Sequence, residues 1–169
     1  KLVEDLLLAA RVDGGYQYIF EELDLLELIN TCINRFQPTF QGVIELETTL
    51  EIAMLKKADK TMLTSVVMNI LENAIKYAPE SAKIIVKLTN KDNNWCLEIA
   101  DFGKGIPKTE REQVFNKFYR IGNEDTRTAK GTGLGLYIVK EVVSAHKGSI
   151  RVRDNVPQGS VFSILLPTN

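Results

Sequence analysis

The sequence predicts a two-layer α/β sandwich, with helices on one face of a mixed, largely antiparallel sheet. Three observations carry that expectation. Helical and strand-like stretches are interleaved along the whole chain. Most neighbouring strand candidates are joined by tight turns, which suit antiparallel pairing, whereas a doubly wound parallel sheet needs a long crossover at each step. The 169 residues, 44% apolar and 25% charged, are enough for one core and short for two.

Residues 1–12 place Leu2, Val3, Leu6, Leu7, Ala9 and Ala10 at helical spacing, and Asp13-Gly14-Gly15 ends the helix with glycine as the usual C′ residue. Twelve residues form a marginal helix alone, so this one reads as the tail of a longer helix. The expected organisation is a helix tail and linker over 1–15 and one domain over 16–169. Residues 16–23 alternate as a strand, and Asp24 with Glu27 has capping-box spacing at the start of a helix to Phe36. Short strands are expected over 43–50 and 52–57. Asp59 caps a long amphipathic helix to Tyr77, stopped by Pro79. Strands over 82–88 and 95–100 form a hairpin across 90–94. The stretch 101–135 is rich in Gly, Lys, Arg and Thr, with one short helix near 110–116. A helix over 134–147, closed by Gly148, precedes two last strands, 149–153 and 160–166, around a Pro157-Gln158-Gly159 turn.

A net charge of −1 argues against a nucleic-acid binder, which would carry a basic bias. No run of about 18 apolar residues exists, so any link to a membrane has to come from other segments of the protein. The start, Lys1-Leu2-Val3-Glu4-Asp5, has neither an initiator Met nor a signal-peptide layout and reads as a boundary inside a longer protein. Cys32 and Cys96 are far apart, with one His in the chain to help, which argues against zinc and for reduced thiols in a cytoplasmic domain.

Three stretches carry chemistry. On the 59–77 helix, Leu63, Val66, Val67, Ile70, Leu71 and Ala74 form the buried stripe, and Asn69, Asn73 and Lys76 fall together beside it. Two amides and an ammonium on one helix edge suit a metal-bound polyphosphate, and equally suit a solvated flank. Asp101-Phe102-Gly103-Lys104-Gly105-Ile106-Pro107 follows a strand directly. A carboxylate there can accept an exocyclic amine proton of adenine and would repel the oxygen of guanine, although the same pattern also serves as an ordinary turn. Gly131-Thr132-Gly133-Leu134-Gly135-Leu136 opens a helix, where bare N–H groups and the dipole favour phosphate, or where glycines allow tight packing. Asp101-Phe102-Gly103 and Ala78-Pro79-Glu80 spell protein-kinase signatures in reversed order and without the companion motifs, so the match is coincidental. No Walker-type loop is present.

Taken in order, these motifs resemble the sensor histidine kinases of the gyrase, Hsp90, histidine kinase and MutL ATP-binding superfamily. Asn69-Ile70-Leu71-Glu72-Asn73-Ala74-Ile75-Lys76-Tyr77 is similar to its N box, Asp101 to Pro107 to the first glycine box, Phe115-Asn116-Lys117-Phe118-Tyr119-Arg120 to the F box, and Gly131 to Leu136 to the second glycine box. The Gly159-Ser160-Val161-Phe162 ending and the Ala10-Arg11-Val12-Asp13-Gly14 tail of a dimerisation helix fit as well. The resemblance implies a Bergerat-type sandwich that binds ATP and Mg²⁺. It implies that Asn73 with Asn69 holds the metal, that Lys76 and Tyr77 contact phosphate and adenosine, and that Asp101 fixes the adenine amine with Gly103, Gly105 and Ile106 shaping the pocket. Arg120 would reach the γ-phosphate, Thr132, Gly133, Leu134 and Gly135 would line the phosphates, and 119–130 would form a mobile lid. Asn73, Lys76 and Arg120 are then the catalytic set.

One departure within the superfamily matters. Water-activating relatives carry Glu at the first N-box position, where this chain has Asn69, which cannot act as a base. The expected reaction is therefore phosphoryl transfer to a histidine on a dimerisation domain upstream of Lys1, then to a response regulator receiver domain, within a homodimer. His146 is expected to pack or cap, because no acceptor motif surrounds it, and Glu72 to be a solvated helix residue. An anti-sigma-factor-type serine kinase, a water-activating ATPase, or a non-catalytic nucleotide-sensing or docking module are the alternatives; the F box, Asn69, and the intact glycines with Asn73 and Asp101 respectively speak against them.

Overall fold

The long central helix and the sheet beneath it set the architecture of the computed structural model, which describes residues 1–122 and 131–169. The strands are β1 (Glu21–Asp24), β2 (Val43–Glu47), β3 (Met54–Ala58), β4 (Lys83–Lys91), β5 (Asn94–Ala100), β6 (Ser149–Asp154) and β7 (Ser160–Pro167). Five of them form one sheet in the order β2-β4-β5-β7-β6, and β1 pairs with β3 in a separate ribbon. Only β2 and β4 run parallel in the large sheet; its other pairs are antiparallel. The two-residue period decides the register. Val86, Ile99, Phe162 and Val152 lie opposite one another across four strands, as do Leu88, Leu97, Ile164 and Ile150, which puts one apolar face against the helices. Asp92 and Asn93, with φ of 51° and 60°, turn the β4–β5 hairpin, as both central positions of a type I′ turn require.

Among the described residues four α-helices complete the layer: α1 (Leu2–Asp13), α2 (Leu25–Phe36), α3 (Lys60–Tyr77) and α4 (Gly135–Ala145). On α3, Met62, Leu63, Val66, Val67, Ile70, Leu71 and Ala74 are buried, and the helix packs on both α2 and α4. Truncating Leu71, which is fully buried, removes about 2–5 kcal/mol by transfer and cavity terms together. Helix α1 packs on α4. Both cysteines are free thiols, and burial pushes Cys32 up to about 11.

Several local expectations need correction. Residues 16–20 form no strand, and only Glu21–Asp24 pairs. Their polar and aromatic groups are taken elsewhere: the Ile19 N–H donates to Asp59, while Tyr18 and Phe20 stack against each other and meet the His146 ring edge-on. The short helix near 110–116 is instead two 3₁₀ turns, Lys108–Glu110 and Gln113–Phe115. At the end of α4 the left-handed residue is Lys147 (φ 59°), not Gly148. Gly148 is needed for closeness, because a Cβ there would lie 2.3 Å from the Leu165 carbonyl oxygen. Of the lid expected over 119–130, residues 123–130 lie outside the described residues.

Asp59 joins three parts of the chain. Its carboxylate caps α3 by accepting the Met62 N–H at 3.0 Å, and it also accepts the Ile19 N–H at 2.9 Å and the Tyr16 hydroxyl at 3.3 Å. Its own N–H donates to Nε2 of His146 at 3.0 Å. Nδ1 of His146 then donates to the Val142 carbonyl at 2.7 Å, so the ring is neutral and fixed in one tautomer. Burial pushes the imidazole below its ordinary value of 6.5, outweighing the Val142 carbonyl and the Asp59 charge, which favour the cation.

Two outcomes follow from this junction. Asp59→Ala removes a cap and strands the Ile19 N–H, and should lower the unfolding free energy by about 2–4 kcal/mol in urea titrations. Because the folded imidazole titrates below the unfolded one, its contribution is complete above pH 6.5 and is lost as pH falls through the depressed folded value. Urea titrations across that window should show stability falling toward acid, with the His146 share of the slope absent in His146→Gln.

Candidate functional site

The sheet, α3 and the segment entering α4 enclose a cavity of ≈ 610 Å³. Its size is that of a site for one small organic molecule. One group of lining residues comes from the end of β5. Asp101 follows the strand directly, and the antiparallel β5–β7 register sets it opposite Ser160: the Asp101 N–H donates to the Ser160 carbonyl at 2.9 Å. Its Oδ1 accepts the N–H groups of Gly103 at 2.9 Å and Ser160 at 3.3 Å. The side chain is 6% exposed, and burial raises its pKa against the opposing pull of those two N–H donors. Gly105 and Ile106 line the cavity beside it. Gly103 lies in the neighbouring shallow depression, and a Cβ on it would come within 2.4 Å of the Tyr77 carbonyl at the end of α3.

The second group lies along α3. Asn69, Glu72, Asn73 and Lys76 occur at i, i+3, i+4 and i+7, which places all four on one helix edge, and all line the cavity with Tyr77. Asn69 is buried, and its Nδ2 donates to the Ser65 carbonyl (2.9 Å) and hydroxyl (3.2 Å), which turns Oδ1 outward. Gly135 abuts that oxygen, since a Cβ there would be 2.9 Å away, and Gly131 similarly abuts the Lys76 ammonium (3.1 Å) and Arg120 Nε (3.8 Å). Burial lowers the Lys76 pKa; Glu72 opposes the shift, and Arg120 adds to it. Thr132 accepts the Leu134 N–H on its hydroxyl at 3.2 Å. Phe118 donates its N–H to the Gly133 carbonyl at 2.9 Å, and Gly133, at φ 74°, leaves no room for a Cβ, which would sit 2.7 Å from the Phe118 backbone. The side chain of Leu134 does not join this lining: it is fully buried in the core below.

Glu72 stays partly exposed, as a helix-flank residue, but it is ion-paired by the residue that precedes α1. The Lys1 ammonium meets Glu72 at 2.9 Å, Asp5 at 3.2 Å and Asn69 Oδ1 at 3.3 Å. Asp5 is itself buried and accepts the Thr132 hydroxyl at 2.9 Å. A second polar junction joins Asp13 to Lys117 and Tyr137. Lys1, Asp5 and Ser160 are site residues that the sequence motifs did not single out. Ser160 was implicit in the strand pairing; Lys1 and Asp5 reach the cavity only through the packing of α1.

With this geometry established, comparisons with known proteins agree on its kind. Residues 58–169 match the family described as histidine kinase-, DNA gyrase B-, and HSP90-like ATPase. The chain is 33% identical over 99% of its length to the sensor histidine kinase WalK of Bacillus subtilis (strain 168), covering 28% of that protein. It is 35% identical over 98% of its length to the signal transduction histidine-protein kinase/phosphatase MprB of Mycobacterium sp. (strain KMS), covering 32% of it. The chain thus spans about a third or less of these relatives. Among solved structures, the mycobacterial sensor histidine kinase MprB superposes with a TM-score of 0.75 at 35% identity, over 88% of this chain and 97% of that one. The catalytic domain of the histidine kinase ThkA gives 0.78 at 28% identity, over 89% and 96%.

The contact between the F-box backbone and the second glycine segment is testable without ligand. Gly133→Ala forces a Cβ into the Phe118 backbone at a left-handed position and should cost about 1–3 kcal/mol, read as a lowered thermal midpoint.

Proposed function

The chain belongs to the histidine kinase-, DNA gyrase B-, and HSP90-like ATPase family, and from that premise we propose that it is the catalytic domain of a sensor histidine kinase, binding Mg-ATP and passing the γ-phosphoryl group to a histidine of a dimerisation domain. The observation that carries this reading is the pairing, in one cavity, of a buried carboxylate with a cluster of amides and cations. Asp101 suits the exocyclic amine of adenine, while Lys76 and Arg120 suit phosphate oxygens. A cation niche exists as well: Asn69 Oδ1 and Glu72 already hold an ammonium, that of Lys1. The residues present therefore fit Mg-ATP, with Asn69 and Asn73 as the metal's protein ligands. Bound there, Mg²⁺ would neutralise phosphate charge.

This domain's own residues position and stabilise. Lys76 and Arg120 hold the phosphates, the Thr132–Gly133 segment and the N-terminus of α4 offer N–H groups and a favourable dipole, and the shaped cavity keeps the base fixed. In the transfer, the bond from phosphorus to the bridging oxygen breaks as one to an imidazole nitrogen forms, leaving ADP. Asn69 has no basic atom with which to activate water, so hydrolysis stays slow. Helix α1 is then the tail of the dimerisation helix, the full protein a cytoplasmic-facing homodimer, and a response regulator receiver domain the onward acceptor. Among the described residues no helix is long and apolar enough to cross a membrane.

Three measurements check this reading. Asp101→Asn should weaken ATP binding about 10- to 150-fold, the equivalent of roughly 1.5–3 kcal/mol, in calorimetric titrations of a folded variant. Lys1→Ala should tighten Mg-ATP about 2- to 5-fold while leaving adenosine unchanged, because the ammonium competes for Asn69 Oδ1. The chain alone should hydrolyse ATP slowly and remain unphosphorylated, yet label a separate dimerisation domain weakly in trans, His146→Gln included. Acid-labile phosphate on the isolated chain that disappears in His146→Gln would sink the assignment.

A further inference from the structure

The first glycine box is held from outside by the turn between β6 and β7. Its main-chain carbonyls at three positions each accept a side-chain donor. Asn155 Nδ2 donates to the Asp101 carbonyl at 2.8 Å, Gln158 Nε2 to the Phe102 carbonyl at 2.9 Å, and Arg111 Nε to the Ile106 carbonyl at 3.3 Å. Asn155 and Gln158 stand on the turn between β6 and β7, and Arg111 is joined to that turn through Asp154. The turn presses close: Gly159, at φ 102°, packs so tightly on Asp101 that a Cβ would fall 2.0 Å from its carbonyl oxygen.

Asn155 is the most constrained of the three donors. Its Oδ1 accepts the Val156 N–H at 2.9 Å and its main-chain N–H donates to the Gly159 carbonyl at 3.0 Å, so the amide is fixed at both ends before it reaches Asp101. Gln158 is exposed, whereas Asn155 is half-buried. Asp101 is consequently bound through every main-chain polar group, N–H to Ser160 and carbonyl to Asn155, and its Oδ1 is committed to the N–H groups of Gly103 and Ser160. A short side chain whose backbone is fixed on both sides has few rotamers left, and aim decides the strength of a hydrogen bond.

We propose that Asn155 is a positioning residue for base recognition: by tying the Asp101 peptide to the β6–β7 turn, it aims the Asp101 carboxylate at the 6-amino group of the purine. This rests on the ATP-binding reading above. Asn155 does not line the cavity, so its effect has to pass through Asp101, and that is what separates it from a residue that only stabilises the fold.

The test compares two ligands that differ by that amino group, Mg-ATP and the Mg-triphosphate of purine riboside, by calorimetry on the full chain. Asn155→Ala should weaken Mg-ATP about 10-fold and leave the purine riboside triphosphate unchanged. In an Asp101→Asn background, Asn155→Ala should cause no further loss for Mg-ATP, as a pair acting in series requires. Equal loss for both ligands, full additivity in the double variant, or unchanged Mg-ATP affinity in the single one would overturn the proposal. If Asn155→Ala proves unfolded by its thermal transition, Asn155→Asp, which keeps the shape and loses the donor, carries the same comparison. A wild-type chain that binds neither ligand would instead overturn the ATP-binding reading itself, an outcome distinct from loss of the Asn155 effect alone.

Discussion

Asp59 stands where three segments have to agree. A carboxylate removed from water must find donors, and here they come from the first turn of α3 and from the segment after α1, while the residue's own N–H requires an acceptor from the end of α4. Met62, Ile19 and His146 supply these groups, so the start of α3, the 16–20 segment and the end of α4 are tied at one point. Fixing the start of an 18-residue helix fixes the angular position of its later residues. The edge that carries Asn69, Glu72, Asn73 and Lys76 faces the cavity because the buried stripe of the same helix is pinned between α2 and α4. His146, the lone histidine, serves that junction as a neutral acceptor; the charged form would lose the Asp59 N–H.

Around the cavity, close approach leaves several glycines no room for a side chain, against the Asn69 and Lys76 side chains at Gly135 and Gly131 and against main-chain oxygens at Gly103 and Gly159. A Cβ at Gly103 would meet the carbonyl of Tyr77, and one at Gly159 that of Asp101. Such approaches bring the end of α3, the β5 terminus and the β6–β7 turn to backbone contact, which no larger residue allows.

Charge is distributed with the same economy. Lys76 and Arg120 raise the local potential together, and burial makes the Lys76 ammonium less content to be charged without an anion nearby. Asp5, Glu72 and Lys1 form an opposing network where α1 lies over α3. Removing α1 from that edge would return Asn69 Oδ1 and the Thr132 hydroxyl to the cavity. The Lys1–Glu72 and Thr132–Asp5 contacts thus tie the start of α1 directly to the cavity edge.

Much of this was legible in the residues. Period two in the strands, period 3.6 in 59–77, Asp59 before that helix and the ordered glycine segments follow from local chemistry, which acts over a few neighbours and is therefore written in short stretches. That Asn69, Asn73 and Lys76 share an edge is simple helix geometry. What the stretches do not contain is which partner a free group finds at a distance. The alternation over 16–20 suited a strand until the Ile19 N–H found Asp59. Leu134 sat inside a ligand-like motif, yet its side chain went to the core because an apolar group beside an open core position is buried there. Glu72 read as a solvent residue and stays partly exposed, but the pairing with Lys1 was not readable, and Asn155 was only part of a turn until β6 and β7 carried it to Asp101. The sequence by itself determined the layers, the helix edges and the chemistry available. Tertiary packing alone decided which of those groups meet, because each such contact joins residues tens of positions apart and depends on the placement of every element between them.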